Sequence, residues 1–140
     1  MYGSSIQSIS RDRVKASFER KELRYMTDQD GDFVLLFGDL QANFIFYGES
    51  NEMLQIRGSK DIDLQGKSLD VALRVVNDWN KRKLLGKAYV FISENTGKCW
   101  VHVEETYDFE EGCTDGQLDY HIGSLIRVCL KGVEEICEAI

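Results

Sequence analysis

The sequence has no proline and only two histidines among its 140 residues. No stretch is Gly/Ser-rich, of low complexity or repeated at a fixed period, so neither a linker nor a solenoid array divides it. One domain over residues 1–140 is expected, a length sufficient to bury a core without disulfides or metal. Cations are also scarce: 17 Lys and Arg against 24 Asp and Glu leave a formal charge of -7. Binding to nucleic acid draws most of its affinity from clustered Lys and Arg, so no nucleic-acid partner is expected and a basic protein surface fits better. No run approaches the roughly 18 to 20 apolar residues that span a bilayer, and the opening MYGSSIQSISRDRV lacks the apolar centre of an export signal. These two absences predict a cytoplasmic protein with no membrane partner. Cys99, Cys113, Cys129 and Cys137 include no Cys-x-x-Cys pair and match no short disulfide framework, so they read as reduced thiols. No metal and no cofactor is expected.

What is present is the material of a core. Hydrophobic residues make up 43% of the chain and aromatics 11%, far from the composition of disordered segments. Ser10 can cap a first helix that sets Val14 and Phe18 one turn apart. Tyr25-Met26-Thr27 opens a strand that turns at Asp28-Gln29-Asp30-Gly31, and Phe33 to Phe37 reads as a buried strand. After a turn at Gly38-Asp39, Asn43 to Tyr47 alternates Phe44 and Phe46 against Ile45 and Tyr47, and Met53 to Arg57 follows as the next strand. Between Lys67 and Leu85, the spacing of Leu69, Ala72, Leu73, Val76 and Trp79 predicts an amphipathic helix over one face of the sheet. Ala88 to Ile92 and Cys99 to Val103 flank the loop Glu94-Asn95-Thr96-Gly97 and should pair antiparallel.

Thr114 and Gln117 have the spacing of a capping box, with Cys113 and Leu118 placed as a hydrophobic staple. From there an apolar stripe runs through Leu118, Ile122, Leu125, Ile126, Cys129, Val133, Ile136, Cys137 and Ile140. The resulting order, α-β-β-β-(β)-α-β-β-α, predicts an α+β fold of antiparallel strands with helices on one side.

Phe46-Tyr47-Gly48, Leu54-Gln55-Ile56-Arg57, Val76-Asn77-Asp78-Trp79-Asn80 and Ala88-Tyr89-Val90 follow one another in an order that resembles the YbjN family. The likeness continues through Gly112-Cys113-Thr114-Asp115-Gly116-Gln117-Leu118, with Cys113 where that family more usually has Val, and it covers roughly Phe33 to Leu130. It implies a twisted antiparallel sheet packed by helices, like the type III secretion chaperones, among which dimers are common, and so a homodimer as one candidate assembly. It also implies the role of a bacterial sensory transduction regulator, and it brings no catalytic residue with it.

Chemistry-bearing residues each have a plain packing alternative. Cys129 and Cys137 lie on the apolar stripe of the last helix and Cys99 on the core face of its strand, where a thiol acts as a small hydrophobe. Cys113 beside a helix N-terminus and His121 further along it would make a nucleophile and base, yet about 12 Å of helix separates them. His102 is the other imidazole available to an enzyme or small-ligand site. Asp28, Asp30 and Asp32 begin like a calcium loop, but Phe33 replaces the obligatory Gly and Asp39 the final Glu, so a polar turn is expected. Glu104, Glu105, Asp108, Glu110 and Glu111 read as a solvated acidic face. Lys81, Arg82, Lys83 and Lys87 fall at a helix C-terminus that favours cations. Trp79 belongs to the core.

Trp100, His102 and Glu104 share the opposite strand face from Cys99, Val101 and Val103. An indole on a half-polar face either meets a partner or lies beneath a helix. These three are the candidate partner contacts of a non-enzymatic protein-binding module, chaperone-like or regulatory. The competing reading is a small enzyme or ligand-binding domain using Cys113 or His102.

Overall fold

The computed structural model describes residues 5–140. Residues 1–4, which begin the stretch read above as lacking an export signal, lie outside the described residues. Ser10 has extended backbone and its hydroxyl accepts the Arg13 N–H, so helix α1 (Arg11–Arg20) starts at the expected cap. Strands β1 (Met26–Thr27), β2 (Phe33–Phe37), β3 (Leu40–Tyr47) and β4 (Met53–Ile62) form a meander, and helix α2 (Leu69–Arg82) follows. The hairpin of β5 (Lys87–Ile92) and β6 (Cys99–Asp108) precedes the long helix α3 (Asp115–Ala139). All pairings are antiparallel in the spatial order β1-β2-β3-β4-β6-β5. β5 therefore lies at an edge, and β6 returns between it and β4.

The period of two along each strand decides which side chains meet the helices. Phe44 and Phe46 of β3, Leu54 and Ile56 of β4, and Val101 and Val103 of β6 form one apolar face with Leu118, Ile122, Cys129, Val133 and Ile136 of α3. Phe18 of α1 meets Phe33 and Phe44 edge-on, with ring centroids at 5.6 and 4.8 Å. α1 is tied to α3 by the bidentate pair of Arg20 with Asp119, at 2.9 and 2.7 Å. The capping box of α3 is present in both directions between Thr114 and Gln117. Cys113 and Leu118, the two staple positions, are buried.

Four local expectations are corrected. β2 is buried on one side only: Leu36 is 59% exposed, because no helix covers the second face. β3 starts at Leu40, while β4 runs past Arg57 to Ile62 and β6 past Val103 to Asp108, each carried beyond its apolar run by pairing with a neighbour. In α2, Ala72, Val76 and Trp79 face the sheet but Leu73 is exposed. This helix sits at the β5 edge and needs only a narrow stripe. Lys87 lies in β5 and does not belong to the helix end that holds Lys81, Arg82 and Lys83.

Helix and sheet approach closely at Gly58, where an added Cβ would lie 2.9 Å from the Cys129 carbonyl oxygen. Cys129 Sγ also donates to the Ile56 carbonyl at 3.3 Å. Backbone on both sides leaves little room to yield, so Gly58→Ala should lower unfolding free energy by about 2 kcal/mol, measured by urea denaturation with an unchanged slope. A loss below about 0.5 kcal/mol would show that the seam is loose.

Candidate functional site: the uncovered sheet face

On the second face of the sheet, register alone assembles the site. Ser59 of β4, His102 of β6 and Tyr89 of β5 stand in one row; Arg57, Glu104 and Lys87 stand in the next; Asp61, Trp100 and Phe91 stand in the row on the other side. The structure thus places all three expected contact residues, Trp100, His102 and Glu104, together on this face. The helices pack on the opposite face, so Trp100 does not lie under one of them.

Their exposures differ. Glu104 is only 6% exposed, because neighbouring side chains enclose it: Arg57 Nε at 3.0 Å, Lys87 Nζ at 2.9 Å and the Tyr89 hydroxyl, donating at 3.0 Å. Burial raises the carboxyl pKa, but the hydrogen bonds from Lys87, Arg57 and Tyr89 outweigh it and hold Glu104 below its ordinary value. Glu104 is therefore not part of a solvated acidic face. Glu105, on the other side of the strand, accepts the Gly86 N–H, and Asp108 accepts that of Glu110. Burial and the bond to Glu104 push the Tyr89 hydroxyl up to about 12, so it remains a donor at neutral pH.

His102 forms the floor of an aromatic corner. Trp100 stacks on it with centroids 5.9 Å apart, Phe91 stacks at 5.2 Å and Tyr89 tilts against it at 5.0 Å. Ser59 Oγ is 2.7 Å from His102 Nδ1. Burial, aided by the nearby Arg57 charge, lowers the His102 pKa to about 4, so the ring is neutral at pH 7. Phe91, 46% exposed, is the aromatic of this face that sequence reading missed. Its signal was present, since alternation from Tyr89 puts Phe91 on the same face, but only the register with Trp100 shows that the two adjoin.

Cys113 and His121 each pack into their surroundings. Cys113 is buried, and burial raises its pKa although the nearby Arg13 guanidinium partly offsets this. His121 packs on Tyr107 at 4.1 Å and Phe109 at 5.6 Å, and burial lowers its pKa. Burial also raises Cys99, and drives Cys129 to about 12 and Cys137 to about 11. Asp28, Asp30 and Asp32 bring carboxylate oxygens within 4.8 Å of one another. Two of them are already engaged: Asp28 accepts the N–H groups of Asp30 and Asp32, and Asp32 accepts that of Phe46 and pairs with Arg11 at 3.6 Å. That arrangement is the polar turn expected from the sequence.

Six antiparallel strands with three helices on one face and an open second face define an α+β fold similar to that of the type III secretion chaperones. The chain belongs to the YbjN family: the family model described as "Putative bacterial sensory transduction regulator" matches residues 10–138. A solved structure described as "Crystal structure of YbjN, a putative transcription regulator from E. coli" is similar at a TM-score of 0.70 and 13% identity, covering 97% of this chain and 92% of that one. The "Structure of the HopA1-SchA Chaperone-Effector Complex" is similar at a TM-score of 0.52 and 12% identity, over 92% of this chain and 98% of that one. At these identities the likeness shows the fold. No curated protein sequence matches the chain.

Two measurements follow from the titration behaviour. A His of lowered folded pKa binds fewer protons than its unfolded counterpart between about pH 4 and 6.5, so it makes stability fall as pH drops through that window. The His102 contribution is on the order of 3 kcal/mol, and His102→Gln should flatten the pH dependence of unfolding free energy between pH 6.5 and 4. Equal slopes in the two proteins would refute the assignment. In native protein at pH 7, all four thiols should react with iodoacetamide at least about tenfold more slowly than in denaturant. A fast native thiol, located by peptide mapping, would revive the nucleophile reading.

Proposed function

We propose that this protein is a non-enzymatic protein-binding module, chaperone-like or regulatory, acting in a bacterial cytoplasm as one YbjN-like domain over residues 1–140. The observation that carries the reading is the uncovered sheet face with its aromatic corner. Trp100 and Phe91 are held side by side over the stacked, neutral His102, while Glu104 is fixed beneath by three donors. Large aromatic side chains with few torsions, already immobilised, lose little entropy on meeting a partner. The surface is preorganised for contact. His102 and Glu104 act by positioning, and Trp100 and Phe91 touch the partner.

The family's description as a regulator and the likeness to a chain of a chaperone–effector complex both support this reading. Raised thiol pKa values weigh against the enzyme alternative, and a net charge of -7 weighs against nucleic acid. Among the described residues no helix is long and apolar enough to cross a membrane. The partner is a protein, either another chain or a second copy.

Trp100 is only partly buried and touches its own face, so Trp100→Ala should leave the thermal midpoint within about 4 °C while weakening partner retention about tenfold or more. Retention is measured by affinity capture from a lysate of the source organism, with light scattering on the bait for self-association. Unchanged retention and unchanged mass would defeat the proposal, and a variant that simply melts would show that Trp100 is structural.

A further inference from the structure

The open sheet face carries a second apolar patch, at the end opposite the aromatic corner. Met26 pairs with Val34, and Val34 and Leu36 are two residues apart on β2, so all three side chains stand on the open side. Met26 is 54% and Leu36 59% exposed, and with Val34, Tyr25 and Arg24 they border a hollow of about 240 Å³. Register carries the rows straight across the sheet: Leu36, Gln41, Ser59, His102 and Tyr89 stand in one, and Val34, Asn43, Arg57, Glu104 and Lys87 in the next. The face thus has an apolar ledge on β1 and β2, rings on β5 and β6, and between them amides bonded to one another, Gln41 donating to Asn43 at 2.8 Å. Leu84 and Leu85, in the loop between α2 and β5, are also 99% and 53% exposed, but the Lys83–Glu135 pair beside them leaves no net charge to select an occupant.

Charge and size point to one occupant. The charged strand residues of the face are Arg57 and Lys87 against Asp61, Glu104 and Asp108, and Glu104 holds both cations. Two copies of a chain of charge -7 repel each other over most of their surface, but this face brings little of that charge to a contact. Six strands about 4.8 Å apart and up to ten residues long give a face roughly 24 Å wide and up to roughly 33 Å long. That is on the scale of the ~800 Å² per partner that a stable dimer buries.

We propose that a second copy of this chain covers the open face, about a two-fold axis that runs along the strands between β3 and β4. That axis lays β2 over the partner subunit's β6 and β1 over its β5. Each aromatic corner then meets the other copy's ledge of Met26, Val34 and Leu36, and the contact is made twice. Aromatic rings gain from an apolar hollow and from a methionine sulfur beside them. Sheets stacked in this way lie about 10 Å apart and within about 30° of parallel. The proposal rests on reading the aromatic corner as a contact surface, and it names the occupant.

The test is sedimentation equilibrium of the full chain across micromolar concentrations, where a mass of twice 16.1 kDa is expected. Leu36→Glu should weaken self-association about tenfold or more, with the thermal midpoint unchanged because Leu36 is exposed. The axis is read by cross-linking. A mixture of Met26→Cys and Phe91→Cys chains treated with a short bis-maleimide should give a covalent dimer above the level of the unsubstituted chain. Neither variant alone should do so, because like edges stand about 24 Å apart across the axis. A monomer at every concentration, a dimer that survives Leu36→Glu, or like-with-like cross-linking as fast as the mixture's overturns the proposal. A monomer that still loses a captured protein with Trp100→Ala overturns the second copy alone; one whose capture Trp100→Ala leaves unchanged overturns the aromatic-corner reading with it.

Discussion

The contact on which the rest of the architecture depends is the seam between α3 and β4. Helix backbone and strand backbone meet there with only a glycine between them: Gly58 faces the Cys129 peptide, and the Cys129 thiol reaches the Ile56 carbonyl. A larger residue at Gly58 would lift the helix and open a layer of unfilled space along the apolar stripe from Leu118 to Ile136. Less than one turn along, Gly132 repeats the device by admitting the Trp79 ring, which draws α2 onto the same face. One long helix and one tryptophan thereby gather all the helical cover on a single side of the sheet.

Covering one face completely leaves the other to protect itself. Gln55, Ser59, His102 and Glu104 are buried there without any helix above them. They are enclosed by side chains two residues and one strand away. Arg57 binds both Glu104 and Gln55, and Gln55 in turn donates to Thr106. A desolvated carboxylate is costly unless its lone pairs are filled, and Glu104 has three donors. The cross-strand network restrains the side chains of this face, which under the proposed reading lowers the entropy lost when a partner is met.

Local features were legible in the sequence wherever the determining physics was local. The Ser10 and Thr114 caps, the α3 stripe and the alternation of Phe44 and Phe46 depend on residues within one or two turns of chain, and each stands where expected. Gly58-Ser59-Lys60-Asp61 carries no such signal, yet it is strand, because Ser59 and Lys60 pair with His102 and Val101 from across the sheet. The same distance hid the site. Trp100 was legible as sharing a half-polar strand face, with its exposure left open, while Phe91 beside it, Ser59 on His102 and the three donors on Glu104 depend on register between strands whose order sequence does not encode locally.

The exposure of Leu84 has a structural cause. Lys83 is anchored through Glu135 and through its N–H to the Trp79 carbonyl, Gly86 through the Glu105 carboxylate, and Asn80 clamps both the N–H and the carbonyl of Ala88. The loop is therefore fixed on both sides of the leucines. Gly86, at φ +93, makes a turn that a side chain would strain and that would also push a Cβ into Trp79. The Asn80 clamp also occupies part of the β5 edge, whose open backbone would otherwise invite another strand. A free edge and two free leucines present different hazards at the same end of the sheet, and the chain has blunted the first while holding the second out to solvent.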